Sequence, residues 1–287
     1  MALFLVLESS LFTKAARVGG IACLALVLGL VGACVEEETP PEAPGSSNWY
    51  ERVTREARTR AQAPYRPPVP VVTPSVAGLT YAQMRGIRYR AREAVWRGQA
   101  PFELQLFHPG GGFDTPVRIH LVEGDTARLL PFEAERFDYG DEVEGMQLGL
   151  PAEAGYAGFR VLAPMNDPDR MDEVVSFLGA SYFRLVGPLQ VYGLSSRGLA
   201  VNVADPAGEE FPAFVAFWVV APAPADTSLT FFGLLDGPSV AGAYRFELTP
   251  GVPSADATGD AAGPDGHRGT VLEVEARLFA REAIRKL

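Results

Sequence analysis

Cysteine is almost absent from this sequence of 287 residues: Cys23 and Cys34 are the only two. Both lie near the start, so the body of the chain has no structural disulfide, no thiol nucleophile and no cysteine-ligated metal site. Histidine is nearly as scarce. His108, His120 and His267 are far apart and form no H-x-x-x-H pair. That argues against a zinc centre, and neither a metal nor another cofactor is expected. Positive charge is in deficit. There are 25 Lys and Arg against 35 Asp and Glu, a formal net charge of -10. Such a chain is a poor match for nucleic acid, whereas a neutral polymer remains compatible as a ligand. Generic catalytic signatures are missing too: no G-x-S-x-G, no H-E-x-x-H, no Walker loop and no dinucleotide fingerprint. Gly110-Gly111-Gly112 is a lone glycine run, which a turn between strands explains without a phosphate.

What is present begins at the N-terminus. Lys14 and Arg17 precede an apolar run, Val18 to Ala33, which is shorter than the roughly 20 residues a spanning helix needs. The run closes on Val31-Gly32-Ala33-Cys34. This order of charge, short apolar core, small residues and cysteine resembles a bacterial lipoprotein signal. The resemblance implies cleavage before Cys34, lipidation of the Cys34 thiol and a periplasmic, membrane-anchored protein. An uncleaved N-terminal anchor helix is the alternative, and either places the rest of the chain outside the cytoplasm. Met1 to Thr13, apolar and ahead of the charges, is unusual for such a signal and points to a start downstream of Met1.

Residues 1–34 are therefore expected as the signal segment and 35–77 as an acidic, Pro-rich tether and connector. Val35 to Ser47 is rich in Glu, Pro and Ser and buries no apolar area. Trp49 to Gln62 is a charged segment compatible with a helix, and YRPPVPVVTP follows as an extended connector. Residues 78–287 read as the β-rich body. Phe102 to Leu106, Val117 to Leu121, Tyr244 to Leu248 and Leu272 to Ala276 alternate with period two. Leu229 to Leu235 is apolar on both faces and suits a central strand. Val174 to Leu178 and Tyr81 to Arg85 are expected as short turns, and Pro253 to Gly269 as a long hairpin loop. The pattern predicts an all-β fold, a large antiparallel sandwich. Its last strand, Leu272 to Phe279, is expected to leave an unpaired edge.

Asp172 to Trp218 is the densest block of aromatic and charged residues. A pyranose has an apolar CH face and a hydroxyl rim, so proteins bind it with aromatic platforms flanked by Arg, Asp and Glu. Tyr182, Tyr192 and Trp218 supply candidate platforms. Arg184, Arg197, Glu209 and Glu210 supply candidate rim contacts. The competing reading is that the aromatics fill a β core and the charges sit on solvated edges. Sugar hydrolysis needs a pair of carboxylates. Glu209 and Glu210 are adjacent and face opposite sides of an extended strand, so they do not make that pair. Asp236, at a strand end, is the better loop candidate, with turn capping as its competing role. The expected substrate-binding set is Tyr182, Arg184, Tyr192, Arg197, Glu209 and Asp236, with no catalytic residue assigned.

At this block the sequence resembles the periplasmic glucan biosynthesis proteins, the family that makes osmoregulated periplasmic glucans. The matching stretches include FELQLFHPGGGFDTPVRIHLV, DEVVSFLGASYFRLVGPLQVYGLSSRGLAV, GEEFPAFVAFW and LLDGPSVAGAYRFELTPG, within Tyr81 to Leu287. The resemblance implies a galactose-mutarotase-like sandwich, followed in full-length members by an immunoglobulin-like domain. It implies a β-glucan partner, a polymer of β-1,2-linked glucose, and a glucan-synthesising membrane glycosyltransferase alongside. Some relatives look like endo-β-1,2-glucanases that use an Asp acid. Three departures matter. The chain stops before the family's usual length, so the sandwich is expected to be incomplete at its C-terminal end and no residue inherits the relatives' catalytic role. Charged residues that usually follow GEEFP are replaced by Pro212-Ala213-Phe214-Val215-Ala216-Phe217-Trp218, and RGLAID becomes Arg197-Gly198-Leu199-Ala200-Val201-Asn202. The lipoprotein-type signal replaces a plain secretory one.

The resemblance therefore implies a tethered glucan biosynthesis protein, or a fragment of one, that binds a β-1,2-linked backbone in a sandwich cleft. A non-catalytic carbohydrate-binding or scaffold protein is the alternative. A glucanase that takes its acid from another chain is a third.

Overall fold

Segments of the sequence that alternate with period two become strands. The computed structural model describes residues 3–6, 47–144, 146, 148–252 and 269–287. The Cys34 motif, residues 35–46 of the tether and most of the Pro253 to Gly269 stretch lie outside them. In chain order the strands are β1 (Leu3–Val6), β2 (Ile87–Tyr89), β3 (Glu103–Phe107), β4 (Arg118–Glu123), β5 (Thr126–Leu129), β6 (Phe137–Tyr139), β7 (Gly158–Asp167), β8 (Arg170–Leu178), β9 (Tyr182–Leu185), β10 (Leu194–Arg197), β11 (Ala213–Val220), β12 (Leu229–Asp236), β13 (Val240–Thr249) and β14 (Val271–Ala280). Among the described residues, three α-helices, α1 (Ser47–Ala61), α2 (Pro74–Ala77) and α3 (Tyr81–Gly86), precede β2.

One sheet runs β1-β14-β13-β12-β11-β4-β5, a second runs β10-β9-β8-β7-β3, and β2 pairs with β6. Pairing is antiparallel except where β11 meets β4 and β1 meets β14. The two large sheets face each other through phenylalanines. Phe159 of β7 lies 4.9 Å from Phe217 of β11, and Phe177 of β8 lies 5.5 Å from Phe231 of β12, ring centre to ring centre. Edge-to-face pairs of this kind add about 0.5–1.5 kcal/mol each beyond their buried area. The fold is an all-β sandwich, as the alternation predicts.

β12 is apolar on both faces because both faces are covered. Phe231 and Leu235 join the inter-sheet core, while Phe232 and Leu234 join a second cluster under α1. Trp49, Tyr50, Val53 and Ala57 of α1, one helical stripe, complete that cluster. Trp49 Nε1 donates to the Gly124 carbonyl at 2.8 Å, which fixes the helix start against the β4–β5 turn. This charged segment, expected within the tether and connector, is therefore a third layer of the packed body.

Two further expectations are corrected. Val174 to Leu178 is not a turn. It is the second half of β8, where Val174, Val175 and Phe177 are buried and paired with β7 and β9. In the uncleaved chain the outer edge of β14 is not wholly unpaired, since Val274 to Arg277 pair in parallel with β1, a strand that cleavage before Cys34 would remove.

The glycine run has a packing reason. Gly110 pairs with Phe113 in a tight turn, and a Cβ on Gly110 would sit 2.7 Å from the Val76 carbonyl oxygen. Gly111 donates its N–H to that same carbonyl at 3.1 Å. Bare backbone lets the loop lie against α2, which Thr73 caps through the Val76 N–H. The loop thereby delivers Phe113 to the cleft described next.

Candidate functional site

A cleft of about 250 Å³ opens where the ends of the two sheets meet. Its floor is core. Phe177 of β8 and Phe214 and Phe217 of β11 are buried, with Phe214 and Phe217 ring centres 5.0 Å apart. Its walls are amphipathic or half-exposed rings: Phe113, Tyr182 at the start of β9, Phe211 just ahead of β11, and Tyr65 from the connector. Gly179 turns the chain from β8 to β9 with φ 75°, and a Cβ there would lie 2.8 Å from the Phe113 ring. Only glycine accepts both that backbone and that neighbour. The next residue, Ala180, also holds a left-handed conformation at φ 42°, and its carbonyl accepts the Phe214 N–H at 3.0 Å. The wall is thus bonded to the floor.

The rim is where charge enters. Tyr182 and Arg197 are directly opposite on β9 and β10. The Arg197 guanidinium lies 4.8 Å from the Tyr182 ring centre and 5.3 Å from that of Phe211, and it donates to Glu209. Its pKa is pushed up, first by that hydrogen bond. Glu210 points elsewhere, its carboxylate accepting the Ser239 N–H at 3.1 Å. The adjacent carboxylates diverge, although they lie ahead of β11 and not in a strand. A flat cation between two rings, held by one carboxylate, is an arrangement that matches a sugar's alternation of apolar face and hydroxyl edge.

The family model for the periplasmic glucan biosynthesis protein MdoG matches residues 49–287. This chain belongs to that family. Glucans biosynthesis protein G of Pseudomonas paraeruginosa is 40% identical over 240 residues, which is 82% of this chain and 42% of the relative. The protein of the same name from Pseudomonas syringae pv. tomato is 38% identical over 238 residues, 82% of this chain and 34% of the relative. The chain thus spans less than half the length of either of these relatives.

Within this family member, the structure gathers only part of the expected set. Tyr182, Arg197 and Glu209 come together at the cleft rim. Arg184 shares the Tyr182 face of β9 but turns to Glu173, donating at 2.6 Å. Arg160 also donates to Glu173, at 3.2 Å, and to Gln105 at 2.7 Å. Burial alone would raise the Glu173 pKa, but these guanidinium contacts outweigh it and the pKa is lowered. Tyr192 is 81% exposed on the β9–β10 loop and does not line the cleft. Asp236 is 5% exposed at the end of β12 and contacts Arg60 and Arg281 instead of the cleft. Trp218 faces the opposite side of the sheet, stacked 4.9 Å from His120.

Phe113, Phe211 and Tyr65 were not picked out by sequence reasoning. Phe113 sits after a glycine run and Tyr65 in a Pro-rich connector, so neither shows a strand pattern. Phe211 is the exception. It directly follows Glu209-Glu210, and its proximity in sequence to a candidate rim carboxylate was a usable signal. Among the described residues, no carboxylate lines the cleft itself and no group of three or more His, Cys, Asp or Glu is placed to hold a metal.

Proposed function

We propose that this chain serves periplasmic glucan biosynthesis by holding a stretch of β-1,2-linked glucose backbone in the aromatic cleft. The observation that carries this reading is the rim, where Arg197 lies over Tyr182 and Phe211 and pairs with Glu209. Tyr182, Phe211 and Phe113 present ring faces to the apolar side of a glucosyl unit. Arg197 donates to hydroxyls and the free lone pairs of Glu209 accept from them. Arg184 and the exposed Tyr192 extend the same hairpin beyond the cleft and offer contacts to a longer chain. The names of the two relatives support the biosynthetic role, and the family description supports a periplasmic location.

The test is titration calorimetry with linear β-1,2-glucan. Tyr182→Ala and Arg197→Ala should each weaken binding by about 1–2 kcal/mol while circular dichroism stays unchanged. No binding by the wild type, or unchanged affinity in both variants, overturns the reading. A second reading, a non-catalytic carbohydrate-binding or scaffold role, is favoured by one specific observation: among the described residues, the cleft lining holds no carboxylate.

Membrane attachment belongs to the same proposal. A lipid on Cys34 would hold the cleft near the glycosyltransferase that extrudes the glucan. Labelling with a palmitate analogue should mark the wild type and not Cys34→Ala, and equal labelling of both would exclude the anchor.

A further inference from the structure

A second cleft, about 290 Å³, lies on the far side of the seven-stranded sheet, between α1 and the outward rows of β4 and β11. The sequence builds it by alternation. Arg118 pairs with Ala216 and His120 with Trp218 across the parallel β4–β11 ladder, so all four side chains share one face. Ala216 is small, and its row leaves a hollow bounded by the wider His120–Trp218 pair. α1 roofs part of this hollow with Trp49 and Glu56 and leaves the rest open.

The polar groups around the hollow are incompletely used. Arg118 is exposed, and its guanidinium makes no side-chain hydrogen bond or ion pair among the described residues, while its backbone stays in the ladder. Glu56 gives Oε1 to Arg60 at 2.8 Å. His120 approaches the Phe217 carbonyl through Nδ1 at 3.1 Å. A carbonyl only accepts, so Nδ1 carries the proton and Nε2 of the neutral ring is left as an acceptor. Burial lowers the His120 pKa, and Arg118 adds to the effect, which keeps the ring neutral near pH 7. A donor, two acceptors and a stacked indole–imidazole pair 4.9 Å apart therefore converge on one hollow.

We infer that this hollow is a second carbohydrate site, holding one glucosyl unit of the same β-glucan against the His120–Trp218 pair, with Arg118, His120 and Glu56 on its hydroxyls. A sugar fits this set better than an anion does. Arg52 and Arg60, the other cations present, are already paired with Asp125 and with Glu56 and Asp236. The inference rests on the glucan reading of the chain. It adds a site on the opposite face of the sheet, so one polymer would be gripped at two places.

The tryptophans give this site its own reporter. The chain has three, Trp49, Trp96 and Trp218. Two of them line the outer hollow and none lines the aromatic cleft. Linear β-1,2-linked glucose oligosaccharides should therefore change tryptophan emission of the full chain in a saturable way. The change should persist in Tyr182→Ala, shrink at least about twofold in Trp218→Phe, where Trp49 alone still reports, and need at least about tenfold more sugar in Arg118→Gln, an exposed substitution. Calorimetric binding with silent tryptophans, a signal lost in Tyr182→Ala, or a titration unmoved by Arg118→Gln would overturn the second site and leave the cleft proposal standing. Absence of any calorimetric binding would overturn both.

Discussion

Asp236 holds two guanidinium groups at once, Arg60 at 2.8 Å through Oδ2 and Arg281 at 2.6 Å through Oδ1, and also accepts the Gly237 N–H at 3.1 Å. Arg281 is itself buried and donates to the Gly237 and Val240 carbonyls. The carboxylate thus ties the end of α1 to the end of β14. Removing one partner of a buried ion cluster leaves the others uncompensated, which costs roughly 3–5 kcal/mol. Asp236→Asn should therefore lose about 3 kcal/mol in urea unfolding, and an unmoved midpoint would contradict the clamp. His108 is the second residue with a measurable consequence. It is 4% exposed among the rings of Phe132, Phe137 and Tyr139, with Nε2 unpartnered and Nδ1–H donating to the Pro109 carbonyl. Burial pushes its pKa down to about 4 from 6.5. The unfolded chain then binds the proton first as pH falls, so the stabilisation is complete above pH 6.5 and is lost progressively down to about pH 4. Unfolding free energy should drop between pH 7 and pH 4.5, and His108→Leu should flatten that slope. An equal slope in both proteins would show that other groups dominate. At this scale the sequence exposed residue chemistry but not engagement. Tyr182, Arg197 and Glu209 could be named because aromatic and charged residues alternate there. Asp236 looked available because its partners, Arg60 and Arg281, lie far away along the chain.

α1 illustrates what is legible in an element. Its charges, Glu51, Arg52, Arg55, Glu56, Arg58 and Arg60, dominate its composition and made it read as connector. The stripe Trp49, Tyr50, Val53 and Ala57 was present in the same residues and marks a helix with one buried face. Val53→Ala, at a buried position, should cost about 2 kcal/mol, whereas Arg55→Ala on the solvent face should stay within about 0.5 kcal/mol. Equal effects in chemical denaturation would mean that the helix does not dock. Segments with clean alternation, such as β14 and Tyr244 to Leu248 of β13, were readable because one face is fully buried in the core and the other is less buried. β8 was missed over Val174 to Leu178, where a short apolar run fits either period and only pairing with β7 and β9 decides.

For the whole molecule, the chemistry of the cleft sets the expectation. Glycosidic cleavage needs a carboxyl at the leaving oxygen, and among the described residues none lines the cleft, while Glu209 is held by Arg197. The purified chain should bind linear β-1,2-glucan and release no reducing ends. Steady product formation that disappears in Glu209→Gln would refute this and restore an enzymatic role. The sandwich was predictable as a class from its alternating segments. Its three-layer form was not, because the covering helix lies outside the β-patterned region.

The parallel ladder between β4 and β11 has a kinetic consequence. It pairs Ile119 with Phe217, and every strand of the five-stranded sheet except β3 is threaded between those two residues. Closing such a long loop costs entropy before any pairing repays it, and folds dominated by distant contacts form in milliseconds to seconds. Docking of β4 onto β11 therefore waits for the smaller sheet, whereas β11 to β14 pair with their neighbours in sequence. Pulsed hydrogen exchange during refolding should show protection of β7 to β9 amides ahead of those of β4, and the reverse order would disprove the sequence of events. A chain that closes this late keeps Ile119 and Phe217, two buried residues of the inter-sheet core, uncovered until the last step of folding.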